Sequence, residues 1–105
     1  MIQGDVCLYT FKEPDKRRPV LILTRNAAIS NLTSISVAQV TTSMRDLESV
    51  VWLDESDGLL FACVINLDNI QTVPKRRLSK VITHLSDERM QEVFEAIRFA
   101  FGFDE

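Results

Sequence analysis

The stretch KRRPVLIL, residues 16–23, indicates the fold class of this chain. Residues 19–24 form a short and almost continuous apolar run, which predicts a strand that is buried on both faces. Proline fixes the backbone φ angle at the start of this run, so the double arginine in front of it enters a rigid strand. The guanidinium of Arg18 is therefore predicted to lie near an edge of the sheet.

Arg18 is the first candidate functional residue. A guanidinium is planar, stays charged and binds two phosphate oxygens at once, which makes Arg18 a candidate phosphate ligand. A salt bridge to Asp5 or Asp15 is the structural alternative, and the residues by themselves leave both interpretations open.

Further strands are predicted on both sides of this stretch. Apolar and alternating segments predict strands over residues 4–11, 33–41, 49–54, 60–65 and 67–73, with a bulge near Asn66 between the last two. Polar segments predict a loop or helical turn at 26–31, a turn at 55–58 and a short helical turn at 75–79.

The C-terminal segment predicts a long helix. Ser86 is a typical N-cap, and Gly102 is a typical helix stop. Its apolar face is predicted from the residues at helical spacing, which are Met90, Val93, Phe94, Ile97, Ala100 and Phe101. Five to seven strands, a C-terminal helix and no alternation of strands with helices predict a mainly β fold with α, built on a barrel-like antiparallel or mixed sheet.

Composition limits the classes of protein. The 105 residues fit one domain, residues 1–105, and 46% hydrophobic with 26% charged content is typical of a soluble globular chain. The chain has no apolar run long enough to span a membrane, and its start lacks the features of a signal peptide. Cys7, Cys63 and the single histidine, His84, predict neither a disulfide scaffold nor a metal site nor a cofactor. The expected compartment is the cytoplasm.

Charge is unevenly distributed along the chain. The net charge is −3 and the isoelectric point about 5.1, which does not describe a protein that coats nucleic acid. Most of the basic residues nevertheless fall in two stretches, namely Lys12, Lys16, Arg17, Arg18 and Arg25, then Lys75, Arg76, Arg77 and Lys80. A local cationic site results if the fold brings the stretches together, and otherwise these are solvated loop charges.

Five motifs follow one another in a recognisable order. MIQGDV (residues 1–6) matches an opening pattern xxGDV, RRPVLIL (17–23) matches RRPVLVL, VAQVTT (37–42) matches VxPITT, NLDNIQTV (66–73) resembles xxDQIRTV, and residues 77–86 resemble RLxxxIxxLS. With these motifs in register over nearly all of its length, the chain resembles the MazF/PemK (Kid) toxins of bacterial toxin–antitoxin systems.

The resemblance implies a small SH3-like β-barrel of the CcdB/MazF/PemK type with a C-terminal helix, acting as a homodimer. It also implies metal-independent, sequence-specific cleavage of single-stranded RNA. The 2′-hydroxyl attacks the adjacent phosphate and leaves a 2′,3′-cyclic phosphate and a 5′-hydroxyl. The implied partner is a MazE-like antitoxin, which covers the RNA groove and through which alone operator DNA is bound.

The resemblance also assigns roles by position. Arg18 aligns with the catalytic arginine of the family, Thr41 with its catalytic threonine, and Asp68 with a carboxylate used in the PemK/Kid branch. Arg18 would stabilise the charged phosphorane, and Thr41 would donate a hydrogen bond to a phosphate oxygen. Asp68 would orient Arg18, act as a base or form a structural ion pair. Further RNA contacts are expected from Lys16, Arg17, Thr42, Arg76 and Arg77, and base stacking or core packing from Tyr9, Phe11 and Trp52.

Several positions depart from the family pattern. The loop at 12–16 is short, and Glu13 or Asp15 is a candidate replacement for a carboxylate that some members carry there. The other departures are Arg17 in place of a frequent His, Gln71 in place of the usual Arg, and Asn66 in place of an Arg of the PemK/Kid branch. They predict weakened activity or an unusual cleavage specificity.

Two other functions remain open at this point. One is a non-enzymatic toxin of the CcdB type, which binds DNA gyrase through C-terminal residues, here 99–105. The other is a degenerate relative that only binds its antitoxin.

Overall fold

The computed structural model describes residues 1–11 and 16–104 as a six-stranded antiparallel sheet with a helix at its C-terminal end. The strands are β1 (Asp5–Thr10), β2 (Arg17–Ile22), β3 (Ser34–Thr41), β4 (Val50–Leu53), β5 (Cys63–Pro74) and β6 (Leu78–His84). The helices are α1 (Asn26–Ile29) and α2 (Asp87–Phe101), with 3₁₀ turns at Glu55–Asp57 and Lys75–Arg77. The strand order is β4-β5-β3-β2-β1-β6, which confirms the predicted mainly β class with a C-terminal helix.

The two edge strands approach each other through the segment that follows β4. Thr83 Oγ1 in β6 donates to the carbonyl oxygen of Asp57 at 2.8 Å. Gly58 has φ +90°, and a Cβ added there would overlap the Thr83 side chain, so glycine is required at this position. Among the described residues β4 and β6 share no ladder, so the sheet is open, and this contact joins its two edges in the barrel-like shape that was predicted.

The strands bury side chains on both faces of the sheet. One cluster, which packs against α2, includes Val6, Leu21, Ala38, Ile65, Leu67 and Val93. The other includes Cys7, Tyr9, Val20, Ile22, Val37 and Val73. Because β2 contributes Leu21 to one cluster and its neighbours to the other, the prediction of a strand buried on both faces is confirmed.

The caps of α2 are confirmed, and its predicted apolar face is partly wrong. Ser86 Oγ accepts from the Arg89 backbone N–H at 3.1 Å, and Gly102 ends the helix in the left-handed conformation. The buried positions are Met90, Val93 and Ala96. Phe94 and Phe101 are exposed, because α2 packs mainly on β4 and β5 and buries only a narrow stripe. No helix in the described ranges has the length and apolarity needed to cross a membrane.

Two strands begin two or more residues away from their predicted starts. β2 begins earlier, at Arg17, because its pairing with β1 extends to Thr10 opposite Arg17. β5 begins later, at Cys63. Leu60 and Phe61 lie outside the sheet and are 84% and 69% exposed, so their apolar character does not reflect burial in a strand.

The predicted bulge near Asn66 is confirmed. Asn66 pairs with Gln39 of β3, whereas the next pair joins Ile70 to Ala38. Residues 67–69 therefore have no counterpart on β3, and the extra length re-aims the side chains around them.

β6 was not predicted. The helical turn expected at 75–79 is confirmed only for Lys75–Arg77, and the strand Leu78–His84 follows. β6 is an edge strand that is exposed at most positions, so its sequence has no alternation to reveal it. It forms because β1 offers its free edge, with Leu78 opposite Tyr9 and His84 opposite Asp5.

Candidate functional site

Arg18 and Thr41 lie side by side at one end of the sheet. In the antiparallel pair of β2 and β3, Val20 is opposite Gln39, and continuing this register along both strands places Arg18 opposite Thr41. Both side chains line one cavity of about 260 Å³. The rest of its lining is Pro19, Val40, Thr42, Leu59, Leu60, Phe61, Cys63 and Ile82. The fold therefore brings the predicted residues Arg18, Thr41 and Thr42 together.

This cavity, called the arginine cavity below, is lined by both cationic and apolar side chains. Arg18 and Thr41 contribute polar groups, and the exposed side chains of Leu60 and Phe61 contribute apolar surface. Such a combination suits a ligand that carries both phosphate and flat apolar rings. Burial raises the pKa of the Cys63 thiol, which is therefore neutral and a poor nucleophile at neutral pH.

The Thr41 hydroxyl is oriented by the backbone. Thr41 Oγ1 accepts a hydrogen bond from the N–H of Ser43 at 3.1 Å. A hydroxyl carries a single proton and can accept as well as donate. Because the bond from Ser43 uses an acceptor position, the Thr41 proton is left to donate to a ligand in the arginine cavity.

A second depression continues from Thr41 along β3 and contains a cation that was not predicted. It is lined by Gln39, Thr41, Ser43, Arg45, Val50, Val64, Asn66 and Asn69. Arg45 lies in the exposed segment between β3 and β4 and stands alone among acidic neighbours in the sequence. Its closeness in sequence to Thr41 was the one signal that pointed to it.

A third depression adjoins the second and is lined by amide and aromatic side chains. Its lining residues are Tyr9, Phe11, Val20, Val37, Gln39, Asn69, Gln71 and Val73. The rings of Tyr9 and Phe11 meet edge to face, with centroids 4.8 Å apart. Tyr9 is only 7% exposed and belongs to the core, whereas Phe11 is partly exposed. Trp52, the third aromatic candidate for stacking, is exposed on β4.

Asp68 lies apart from Arg18 and Thr41. Its carboxylate accepts a hydrogen bond from the buried Ser49 hydroxyl, and its backbone N–H donates to Asn66 Oδ1 at 3.0 Å. Asp68 lines a different depression, together with residues of the end of α2 such as Arg98 and Asp104. The single chain therefore does not bring all three predicted catalytic residues into one cavity.

The two basic stretches approach each other around the end of β1. Tyr9 pairs with Arg18 on one side and with Leu78 on the other. Arg17 and Arg77 consequently stand near the starts of the two strands that flank β1. The fold thus brings one end of each basic stretch to the same end of β1.

The remaining basic candidates have different surroundings. Lys16 is exposed just before β2. Arg76 and Lys75 line a depression with Thr33, and Lys75 Nζ donates to the carbonyl oxygen of Ile29 at 2.7 Å, which turns this part of the stretch toward α1.

The structural alternative for Arg18 involved two carboxylates. Asp5 is only 6% exposed, accepts from the Ile2 N–H at 2.8 Å and lies 2.9 Å from His84 Nδ1, so it is engaged by other partners. Asp15 and Glu13 lie outside the described residues.

Within the described part of the chain no three His, Cys, Asp or Glu side chains cluster closely enough to hold a metal ion.

The fold and the arginine cavity define a small, barrel-like β protein with a cleft lined by Arg18 and Thr41 at one end of its sheet. The family model of PemK-like, MazF-like toxins of type II toxin–antitoxin systems matches residues 2–101. The chain belongs to this family.

Individual relatives agree with this assignment. The chain is 41% identical over 90 residues to endoribonuclease MazF3 of Mycobacterium tuberculosis, covering 86% of this chain and 87% of the relative. It is 34% identical over 88 residues to endoribonuclease EndoA of Bacillus subtilis, covering 81% and 76%.

Solved structures give the same result. The Mycobacterium tuberculosis toxin MazF-mt6 superposes with a TM-score of 0.87 at 37% identity, over 96% of this chain and 99% of that one. A mycobacterial endoribonuclease in complex with its cognate antitoxin shares the fold, with a TM-score of 0.88 at 24% identity over 100% and 98% of the two chains.

Proposed function

We propose that this protein is the toxin of a toxin–antitoxin pair and acts as a sequence-specific endoribonuclease on single-stranded RNA. The observation that carries the proposal is the shared cavity of Arg18 and Thr41, in a chain whose curated relatives are endoribonucleases. Residues 1–105 act as a single toxin domain in the cytoplasm, where the two free cysteines remain reduced.

The proposed reaction is an intramolecular displacement at phosphorus. The 2′-oxygen of the RNA forms a bond to the adjacent phosphorus and gives up its proton, the bond from phosphorus to the 5′-oxygen breaks, and that oxygen takes up a proton. Negative charge builds up on the phosphorane oxygens, where the Arg18 guanidinium stabilises it and the Thr41 hydroxyl donates a hydrogen bond. Both act without a metal ion.

The surrounding residues support an extended RNA strand. Thr42 and the exposed Lys16 and Arg17 lie at or next to the arginine cavity, and Arg45 lies in the depression beside Thr41. Cations placed along a groove hold a phosphate backbone without regard to sequence. The hydrogen bond from Ser49 supports a structural role for Asp68, as an anchor between β4 and the bulge of β5.

We also propose that the toxin is a homodimer whose RNA groove is covered by a MazE-like antitoxin, which alone contacts operator DNA. The exposed phenylalanines near the end of α2, Phe94, Phe99, Phe101 and Phe103, support an apolar contact surface that one chain does not bury. Light scattering on the purified protein tests this, and a monomeric mass at micromolar concentration contradicts it.

The test of the activity uses mixed single-stranded RNA, EDTA and mapping of the new ends. We expect the wild type to leave cyclic phosphate and 5′-hydroxyl ends at a defined sequence. The variant Arg18→Ala is expected to be inactive, and Arg98→Ala, which removes an exposed arginine of α2 paired with Asp104, serves as the matched control. Absence of cleavage by the wild type, or gyrase inhibition without RNA cleavage, contradicts the proposal.

A further inference from the structure

Three amide side chains form a hydrogen-bonded row beside the core cluster that contains Val20, Val37 and Val73. Gln71 Nε2 donates to Asn69 Oδ1 at 3.1 Å, and Asn69 Nδ2 donates to Gln39 Oε1 at 2.7 Å. The β5 bulge brings Asn69 between the other two, since residues 67–69 have no counterpart on β3. We call Gln39, Asn69 and Gln71 the amide row.

The amide row leaves much of its hydrogen-bonding capacity unused. Each amide carries two N–H donors and a carbonyl oxygen with two lone pairs, and the row itself uses two bonds. Among the hydrogen bonds of the described residues, the Gln39 amide nitrogen and the Gln71 carbonyl oxygen have no partner. The row thus presents a donor at one end and an acceptor at the other.

The position of the row connects it to the arginine cavity. Gln39 lies two residues before Thr41 on β3, which places the two side chains on the same face of the sheet, about 7 Å apart along the strand. Gln39 and Asn69 line both the depression that contains Thr41 and the one that contains Phe11. An RNA strand whose reacting phosphate contacts Arg18 and Thr41 therefore has its neighbouring nucleotide within reach of the row.

We infer that the amide row reads the edges of the RNA bases next to the cleaved phosphate, an inference that rests on the proposed function. Unpaired bases expose donors and acceptors on their edges, and an amide can bind both kinds of group. The row carries no net charge, so it adds discrimination between bases rather than salt-dependent affinity for the phosphate backbone. The partly exposed ring of Phe11, which lines the same depression as the row, offers a stacking surface.

The experiment uses the full-length protein, a random-sequence RNA library and end mapping. The variants are Gln39→Ala and Gln39→Glu, the second of which keeps the shape but removes the free donor, and Gln71→Ala. Gln91→Ala, an exposed glutamine of α2, is the matched control. We expect the row variants to lose about tenfold in preference at one base position next to the cut, while their best substrates are still cleaved. The control retains the wild-type preference.

The outcomes separate the inference from the proposed function. If the wild type cuts RNA and all row variants cut at the same sequences with the same preference, the inference is wrong and the nuclease assignment stands. If the row variants lose antitoxin binding instead, with RNA preference unchanged, the row is a peptide-binding surface. If the wild type does not cut, the proposed function fails. The inference then also fails unless Gln39→Ala differs from the wild type in its relative binding to single-stranded oligo(A), oligo(C), oligo(G) and oligo(U).

Discussion

Two arginines occupy opposite environments in this molecule, Arg18 at the start of β2 and Arg89 in the first turns of α2. Arg89 Nε donates to Asp57 at 2.9 Å, and its Nη1 donates to Glu92 at 3.1 Å. The hydrogen bond to Asp57 is the largest of the effects that raise the pKa of Arg89. Arg18 lines a cavity instead, and within the described residues it takes part in no salt bridge.

The difference lies in the partners that the chain supplies. Two carboxylates occupy donors of Arg89, namely Asp57 in the 3₁₀ turn after β4 and Glu92 in α2 itself, and the bond to Asp57 holds this turn against α2. Among the residues that the structure describes, the guanidinium of Arg18 forms no ion pair and lines a cavity with a hydroxyl and apolar side chains, an arrangement that suits an external anion. Substitutions in the two regions should therefore separate activity from stability.

The largest expected effect is that of Arg18→Ala on RNA cleavage. Removing a group that stabilises transition-state charge costs about 10²–10³ in rate, and Arg18→Lys should recover only part because an ammonium does not bind two oxygens in one plane. Single-turnover cleavage rates measure this. The melting temperature should stay close to that of the wild type, and a large drop would mean that Arg18 is a structural residue like Arg89.

Asp57→Ala should lower the stability of the protein and leave the rate of RNA cleavage unchanged. It leaves the partly buried guanidinium of Arg89 without its main partner, so we expect the free energy of unfolding to fall by about 1–3 kcal/mol. Urea unfolding measures the loss, and Arg98→Ala, which breaks an exposed ion pair, should cost less than about 1 kcal/mol. If both variants lose the same free energy of unfolding, the ion pair of Arg89 is no more stabilising than an exposed one. Cleavage by the folded fraction of Asp57→Ala should be normal.

Thr41→Ala measures the contribution of the second polar side chain in the arginine cavity to cleavage. Because the Thr41 proton is free to donate, its removal should slow cleavage about tenfold, the effect of losing one hydrogen bond of about 1.4 kcal/mol. Thr41→Ser should retain most of the rate. Thr72→Ala, at an exposed position of β5, is the matched control. Cleavage by Thr41→Ala at the wild-type rate would assign Thr41 a packing role.

The smallest expected effect concerns the pH dependence of stability at Asp54, which caps the 3₁₀ turn that Arg89 contacts. The Ser56 side chain and backbone N–H donate to Asp54 and lower the pKa of that carboxyl. A lowered pKa in the folded state stabilises the protein above the ordinary carboxyl pKa of about 3.9, and this contribution disappears as the pH falls through the folded value. Asp54→Asn keeps an acceptor for the cap but removes the charge. Its stability should approach that of the wild type as the pH falls below about 4 in urea titrations, and a constant gap would contradict the shift.

The fold was predictable where local signals and burial coincide. The apolar run of β2, the caps Ser86 and Gly102, and the bulge near Asn66 could be predicted because each needs particular residue types. β6 has no recognisable sequence pattern, because it is an exposed edge strand that is stabilised by hydrogen bonds to β1. The pattern at Leu60 and Phe61 was misleading, because apolar residues that line a cavity resemble those of a core in the sequence.

The sequence alone determined the family, because membership depends on residue types at fixed spacings along the chain, and it predicted Arg18 as a phosphate ligand. Only the tertiary structure decided which candidates share a site. The register of β2 and β3 places Arg18 beside Thr41, whereas Ser49 holds Asp68 in another depression. The β5 bulge and the pairing of β3 with β5 assemble the amide row. These contacts join residues far apart in sequence, and their distances are set by strand register and bulges, which no local pattern encodes.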